Sequence, residues 1–459
     1  MKTATPKLPY LLRTSAKVRF AQIPALIIAL AAAFMPFQAT RGQHRTSPPP
    51  PKTKVPPALA TSSGFPKIIK ELEFGYSLRE TRDGGMVLAG VRQEGGVIAR
   101  FDASGKEIWR QLHGRPGFLG TDWPAYDVLE LADGSFAATG IGAGPVHISQ
   151  SAMFVLRLAA DGKKLWENQQ AQKDRAAFGN GLQLLANGTL LVNGVYLNQG
   201  PLLAEFDLQG NEVREKTFPK SEHAGMPPLD NYRQIFTAAW QSGDGSVYLA
   251  WTEDFSTADR GETKEGRILK LSPEWSTLWS DHLGSEVAKY VFITGLAPHP
   301  EGGVVVLGQA HADSPLWSID SEHGFAARYT PEGKRAWLHW FGHPRTASGG
   351  YPETYPRAVS ARADGGFLIT GYVRSVREGT NYLTWVAGLS ADGRIEWERF
   401  FASPPASLGY AITPLARGGY ALLGTTRHGN VDCAYLLRLP AGFVPPDELK
   451  LPEVTLLQK

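Results

Sequence analysis

Seven times along the chain a polar turn closing on glycine is followed by an apolar run and, in six of the seven cases, by a second glycine. The segments are DGGMVLAG (83–90), DGSFAATG (133–140), NGTLLVNG (187–194), DGSVYLAW (244–251), EGGVVVLG (301–308), DGGFLITG (364–371) and RGGYALLG (417–424). A short apolar run bounded by Gly, Asn and Asp reads as a strand leaving a hairpin turn. A second strand follows each: VIARF (97–101), MFVLRL (153–158), LLAEF (202–206), RILKL (267–271), FAARY (325–329), TWVAGL (384–389) and AYLLRL (434–439). Another turn and usually a tryptophan come next, as in ASGKEIW and SADGRIEW. The tryptophans are Trp109, Trp166, Trp279, Trp337 and Trp397, and the third repeat has Arg214 in their place. From the end of the second strand to this position the count is eight residues in all six cases. A constant count predicts a tight hairpin of fixed register.

A strand must also enter each DG-type turn, so each unit holds four. The unit recurs every 50 to 63 residues, about the size of a propeller blade. The seventh unit lacks the last strand. Ile68 to Phe74 (IIKELEF) directly precedes the first unit, as a Trp-bearing strand precedes every other. It is expected to complete the seventh unit and close the ring, leaving no gap between first and last. The predicted fold is all-β: a seven-bladed β-propeller of four-stranded blades over residues 64–443, with a tail, 444–459, packed outside or loose.

The two ends of the blades differ. Turns between the first and second and between the third and fourth strands are constant. The stretch from the closing residue of the second strand to the end of the third varies from 11 to 21 residues, and the connection into the next unit varies as well. Long individual loops over a standard scaffold are where binding resides, so function is placed on the long-loop face. Counting back along the first strand from the residue after each turn, position seven is always apolar and position eight is small except at Asp127. Position nine holds Tyr76, Tyr126, Asn180, Thr237, Thr294, Arg357 and Tyr410. Period two turns that column away from the small one, so it is read as a candidate ligand ring at the rim of the central funnel, with strand capping as the competing reading. Asp127 is a ligand anchor, a cation ligand or a buried structural acid. Trp123, Tyr232, Arg233, Glu353 and Tyr355 are candidate loop contacts.

Charge changes the picture at the N-terminus. The first 57 residues hold nine Lys or Arg and no Asp or Glu, and an apolar run spans Ile23 to Phe37. This reads as an export signal or retained anchor over residues 1–43, followed by a Pro-rich linker over 44–63; a mitochondrial transit peptide is the competing reading. The remainder carries 38 basic against 44 acidic residues, a balance of −6, which argues against a nucleic-acid partner. The single cysteine, Cys433, rules out an internal disulfide and reads as a strand residue.

The DGG-strand-G and D-x-x-G-x-x-x-W units resemble bacterial exported β-propeller repeat proteins. FDASGKEIW and LAADGKKLW are also similar to the tryptophan-docking repeats of quinoprotein propellers and of the outer-membrane assembly lipoprotein BamB. That second resemblance implies eight blades, and for a quinone site a Ca²⁺ and often a vicinal Cys pair; this chain counts seven units, breaks the Trp series at Arg214 and has one Cys. The eleven His residues show no H-x-H or H-E-x-x-H spacing, and neither a phosphate-cradling Gly loop nor a G-x-S-x-G elbow occurs. No metal and no cofactor is expected. The leading reading is an exported monomer, periplasmic or extracellular, that recognises a protein or glycan and meets a membrane only through its N-terminal segment. The alternatives are a polysaccharide lyase or hydrolase using Asp127, Glu353, Arg357, Tyr126 and Tyr410 at the funnel, and a scaffold subunit of an envelope complex.

Overall fold

The computed structural model describes residues 67–92, 95–114, 124–142, 151–170, 177–196, 200–218, 237–257, 261–284, 290–312, 321–341, 353–374, 382–402, 406–428, 431–440 and 448–450. The N-terminal segment and linker lie outside them. Every named element is a strand, and within each unit successive strands pair antiparallel.

The turns follow the local chemistry. In the first unit Thr81 N donates to Gly85 O, Gly84 N donates to Thr81 O, and the Asp83 carboxylate accepts from Gly85 N at 3.1 Å. The same bonds recur at Leu131–Ser135, Leu185–Thr189 and Arg362–Gly366. The glycine at the left-handed step, such as Gly84 at φ 78°, is the residue the turn demands. Each third-to-fourth hairpin carries a register shift at the same place, from Arg100/Phe101 to Gly388/Leu389. One extra residue per hairpin is why the count of eight is constant.

The apolar runs are unbroken because the middle strands are covered on both faces. In the first unit Met86 and Leu88 enter a core shared with the seventh unit, beside Leu423 and Leu436. Val87 and Ala89 enter a core shared with the second, beside Val128 and Phe136. Successive units share a core in this way throughout.

The fourth-strand tryptophans join neighbours at a second level. Trp109 lies over Gly162 of the following unit's turn, Trp166 over Gly210, Trp279 over Gly333 and Trp337 over Gly393. A side chain on any of these glycines would displace the indole. Trp109, Trp166 and Trp279 each donate Nε1 to a carbonyl of that turn (Ala160, Leu208, Pro331) at 2.9 Å. The break at Arg214 is an exchange. The following turn carries Trp275 where the others carry glycine, at φ 66° and 2% exposed. Arg214 stacks on it at 4.0 Å and donates to the equivalent carbonyl, Pro273 O, at 2.7 Å.

Three expectations change in detail. The strand that completes the seventh unit is Lys67–Ile69, paired to Val431–Pro440, not the longer Ile68 to Phe74. The chain turns at Leu72, whose N–H returns to Ile69 O, and Phe74 already begins the next strand. The seven units form six sheets, because Val247–Thr257 and Gly261–Leu271 overshoot and one parallel bridge, Lys264 to Tyr290, joins the fourth unit to the fifth. In the tail, Glu448–Lys450 adds a parallel fifth strand to the sixth unit.

Candidate functional site

The candidate column owes its position to a defect in pairing, not to strand alternation. In six of the seven units the first strand carries a register shift around one residue. That residue is Tyr76, Tyr126, Asn180, Thr294, Arg357 or Tyr410. A bulge pushes one residue out of the ladder and re-aims its side chain. All six are half-buried. The bulge lies at the strand's beginning, so these residues stand where the long connections enter.

The closing glycine of the sequence repeat is the counterpart of this bulge. A Cβ on Gly90 would lie 2.2 Å from Phe74 O, on Gly140 2.1 Å from Pro124 O, on Gly194 2.1 Å from Phe178 O and on Gly371 2.0 Å from Tyr355 O. The bulge drives a carbonyl into the space a side chain would fill. The fourth unit has Trp251 instead of glycine; there Thr237 pairs directly with Trp251 without a shift, and Thr237 is buried.

The bulged residues of neighbouring units meet. The Tyr76 ring lies 5.0 Å from Tyr126 and 6.2 Å from Tyr410, and Phe74 lies 6.1 Å from Tyr410. On the sixth unit Arg357 donates to the Tyr372 hydroxyl at 2.5 Å and lies 5.1 Å from the centre of that ring. Tyr372 stacks on Tyr355 at 4.8 Å and meets Tyr382 edge-on at 5.4 Å. Tyr355 donates its hydroxyl to Glu353 at 2.6 Å, and Arg374 lies 3.3 Å from the same carboxylate. The aromatic groups thus occupy the second, first, seventh and sixth units. The third to fifth present short polar groups: Thr237 donates to Asn180 Oδ1 at 3.1 Å and Asn193 donates to Thr237 O at 2.7 Å. Thr294 Oγ1 is buried without a hydrogen-bond partner among the described residues.

Burial holds the phenols protonated: Tyr126 is pushed up to about 12, and Tyr410 is raised as well, with the Tyr372 hydroxyl adding to the push and the Arg357 charge opposing it. Burial also raises the carboxyl of Asp432, against the pull of Arg427 3.8 Å away.

Asp127 does not join this arc. Its Oδ1 accepts from Ser77 Oγ at 2.5 Å and Val128 N at 2.8 Å, and its Oδ2 accepts from Arg79 at 2.7 Å and Leu182 N at 2.9 Å. One carboxylate ties three successive units, which makes it a strut. No group of three or more His, Cys, Asp or Glu suited to a metal occurs among the described residues. Cys433 is 1% exposed and burial raises its thiol pKa, as a strand residue should be. Trp123, Tyr232 and Arg233 lie outside the described residues. Tyr372 and Tyr382 are the arc members that sequence reasoning missed. The residue after the closing position is Val91, Ile141, Val195, Thr252, Gln309, Tyr372 or Thr425, so the one aromatic among them was the available signal.

No protein-family model and no curated protein sequence matches the chain. Among solved structures it is similar to a PL25 ulvan lyase, of a polysaccharide lyase family, bound to -[GlcA(1-4)Rha3S]-, at 11% identity over 83% of this chain and 95% of that one, with a TM-score of 0.50. A protein of unknown function from Dyadobacter fermentans aligns over 82% of this chain and 98% of its own at 12% identity, TM-score 0.42. The β-propeller domain of the Trilobed protease from Pyrococcus furiosus aligns over 79% and 95% at 11% identity, TM-score 0.45. The chain has a β-propeller fold.

Proposed function

We propose that the chain is an exported, seven-bladed, ring-closed β-propeller that binds a glycan on the arc of bulged aromatic residues where its first strands begin. The observation that carries the binding reading is the bulge column. Six units spend a register defect, and a glycine opposite it in each, on lifting one side chain out of the ladder. On four adjacent units what is lifted or packed beside it is a half-buried ring or a guanidinium. Such rings stack on the apolar faces of pyranoses, and the hydroxyls beside them donate to sugar oxygens.

The closed ring is supported by the seventh unit's relation to the first. They share an apolar core, Arg438 donates to Gly84 O and Ala103 O, and Thr425 Oγ1 donates to Glu73 O. Export is supported by the acid-free basic segment ahead of an apolar run. Binding without turnover is supported by the state of the ionisable groups. Asp127 is filled by the protein's own donors, Glu353 is bonded to Tyr355 and Arg374, and Tyr126 and Tyr410 are held as neutral phenols. The two phenols, held neutral, are not ready general bases near pH 7.

The test is a glycan array probed with the wild type and with Tyr76→Ala and Tyr410→Ala. Each substitution is expected to weaken the best glycan by about 10-fold, the scale of one lost aromatic contact. An array without binders, or variants that bind as the wild type does, refutes the reading.

A further inference from the structure

The bulge that lifts Tyr410 is tied down by bonds that equivalent bulges lack. In the second, fifth and seventh units a third-strand aromatic pairs directly with the closing glycine: Phe154 with Gly140, Phe325 with Gly308 and Tyr435 with Gly424. A Cβ on any of these glycines would strike the ring opposite and the carbonyl that the bulge drives inward, which is Leu408 O in the seventh unit. Phe154 and Phe325 show that a bare ring fills this place and leaves the bulge intact. Tyr435 adds a hydroxyl. It lies 2.5 Å from Thr384 Oγ1 of the sixth unit and donates to Leu408 O at 3.5 Å. Thr384 Oγ1 in turn lies 2.6 Å from Ser407 Oγ. Thr384, Ser407 and Tyr435 are all 0% exposed. Packing alone does not call for this arrangement, because each buried hydroxyl costs desolvation that an apolar side chain avoids.

We infer that Tyr435 and Thr384 are positioning residues for the ligand site, whose joined hydroxyls fix the aim of Tyr410; this rests on the glycan-binding reading above. The bonds reach the first strand on the entry side of the bulge, at Ser407 Oγ and Leu408 O, three and two residues before Tyr410. On the exit side Ala411 resumes the ladder opposite Leu423. Gly409, between them, is pressed against Thr370 and the Thr384 methyl, where a Cβ would not fit. Tyr410 therefore leaves a strand held on both sides, and half of the hold comes from the sixth unit. The ring stands 6.2 Å from Tyr76 before any ligand arrives. A ligand that meets rings already aimed loses less to ordering them, so the tether acts on affinity through Tyr410 without touching the sugar.

The experiment is calorimetric titration of the full chain with hexasaccharides of cellulose, xylan, chitin and polygalacturonate, the tightest being carried through the variants. Tyr435→Phe recreates what the second and fifth units already hold, and Thr384→Val keeps the shape of the side chain, so both should fold, as thermal melts check. Each is expected to weaken the glycan about 3- to 10-fold, the scale of one lost hydrogen bond. The same two changes are then made in Tyr410→Ala. With the ring gone there is nothing left to aim, and each should alter the remaining affinity by less than about 2-fold, a coupling that general loosening of the fold would not produce. If Tyr435→Phe and Thr384→Val bind as the wild type does while Tyr410→Ala binds weakly, the positioning role is overturned and the glycan reading stands. Losses of equal size with and without the Tyr410 ring overturn it as well. A wild type that binds none of the four probes overturns both.

Discussion

Gly371→Ala is the substitution on which the link between repeat and site depends most. The added Cβ would lie 2.0 Å from Tyr355 O, 2.8 Å from Pro356 Cα and 2.9 Å from Tyr355 C, all backbone atoms. Ordinary contact begins at 3.4 Å, so a strand held in a hydrogen-bonded ladder must shift by more than 1 Å. Overpacking a rigid interior costs about 1–3 kcal/mol, and with backbone on both sides the upper end, about 3 kcal/mol, applies. The bulge can relax only by flattening, which withdraws Arg357. Equilibrium unfolding in guanidinium should show the stability loss, and glycan titration should show a weakened ligand in the protein that remains folded. Gly243→Ala is the control: no atom lies within 4 Å of its Cβ, and the change should stay within about 0.5 kcal/mol. If Gly371→Ala is as stable as Gly243→Ala, the closing glycine does not exist for the bulge and the reasoning fails.

Other expectations follow from the same contacts. Asp127→Ala strips partners from Ser77, Arg79 and Leu182 N; with Arg79 itself partly exposed, unfolding should show a loss of about 2–3 kcal/mol, and affinity should fall less than in Tyr410→Ala. A double-mutant cycle over Arg214→Ala and Trp275→Ala should give a coupling of about 0.5–2 kcal/mol, and additive losses would refute the exchange. Burial lowers the pKa of His299 and His113 from the ordinary 6.5. His299 is fixed neutral, accepting Glu301 N at Nδ1 and bonded to Ala391 O through Nε2. Below pH 6.5 the unfolded chain takes up protons that the folded one resists, so stability is full above that pH and falls below it. The melting temperature should drop between pH 7 and 5, and His299→Gln should flatten the slope; a flat wild-type profile contradicts this.

The hairpins were legible because their chemistry is local: Asp83, Gly84 and Gly85 satisfy one another within a few residues. The constant spacing of Trp109, Trp166 and Trp279 predicted tight hairpins, and the structure adds that they dock on the next unit's turn. The bulge was not legible, because it is a relation between Gly371 and Tyr355, sixteen residues apart, that only pairing reveals. Counting back nine residues marks the six positions at which the pairing shifts, and Thr237 where it does not, but alternation is not what places them. Asp127 was visible as an anomaly, but its partners come from the units on either side. Arg214 was visible as a break and Trp275 stood in plain sight, yet only the shared contact makes them one exchange. Tyr372 lies outside the first-strand column because it rises from a second strand.

The central claim is that bulged side chains on the first strands form the ligand site. The most direct measurement is a crystal structure of the protein soaked with the tightest glycan from the array. The account predicts sugar rings stacked at about 4 Å on Tyr76, Tyr126 or Tyr410. Density on the short-turn end of the blades or on the outer strands, with the arc empty, would contradict it.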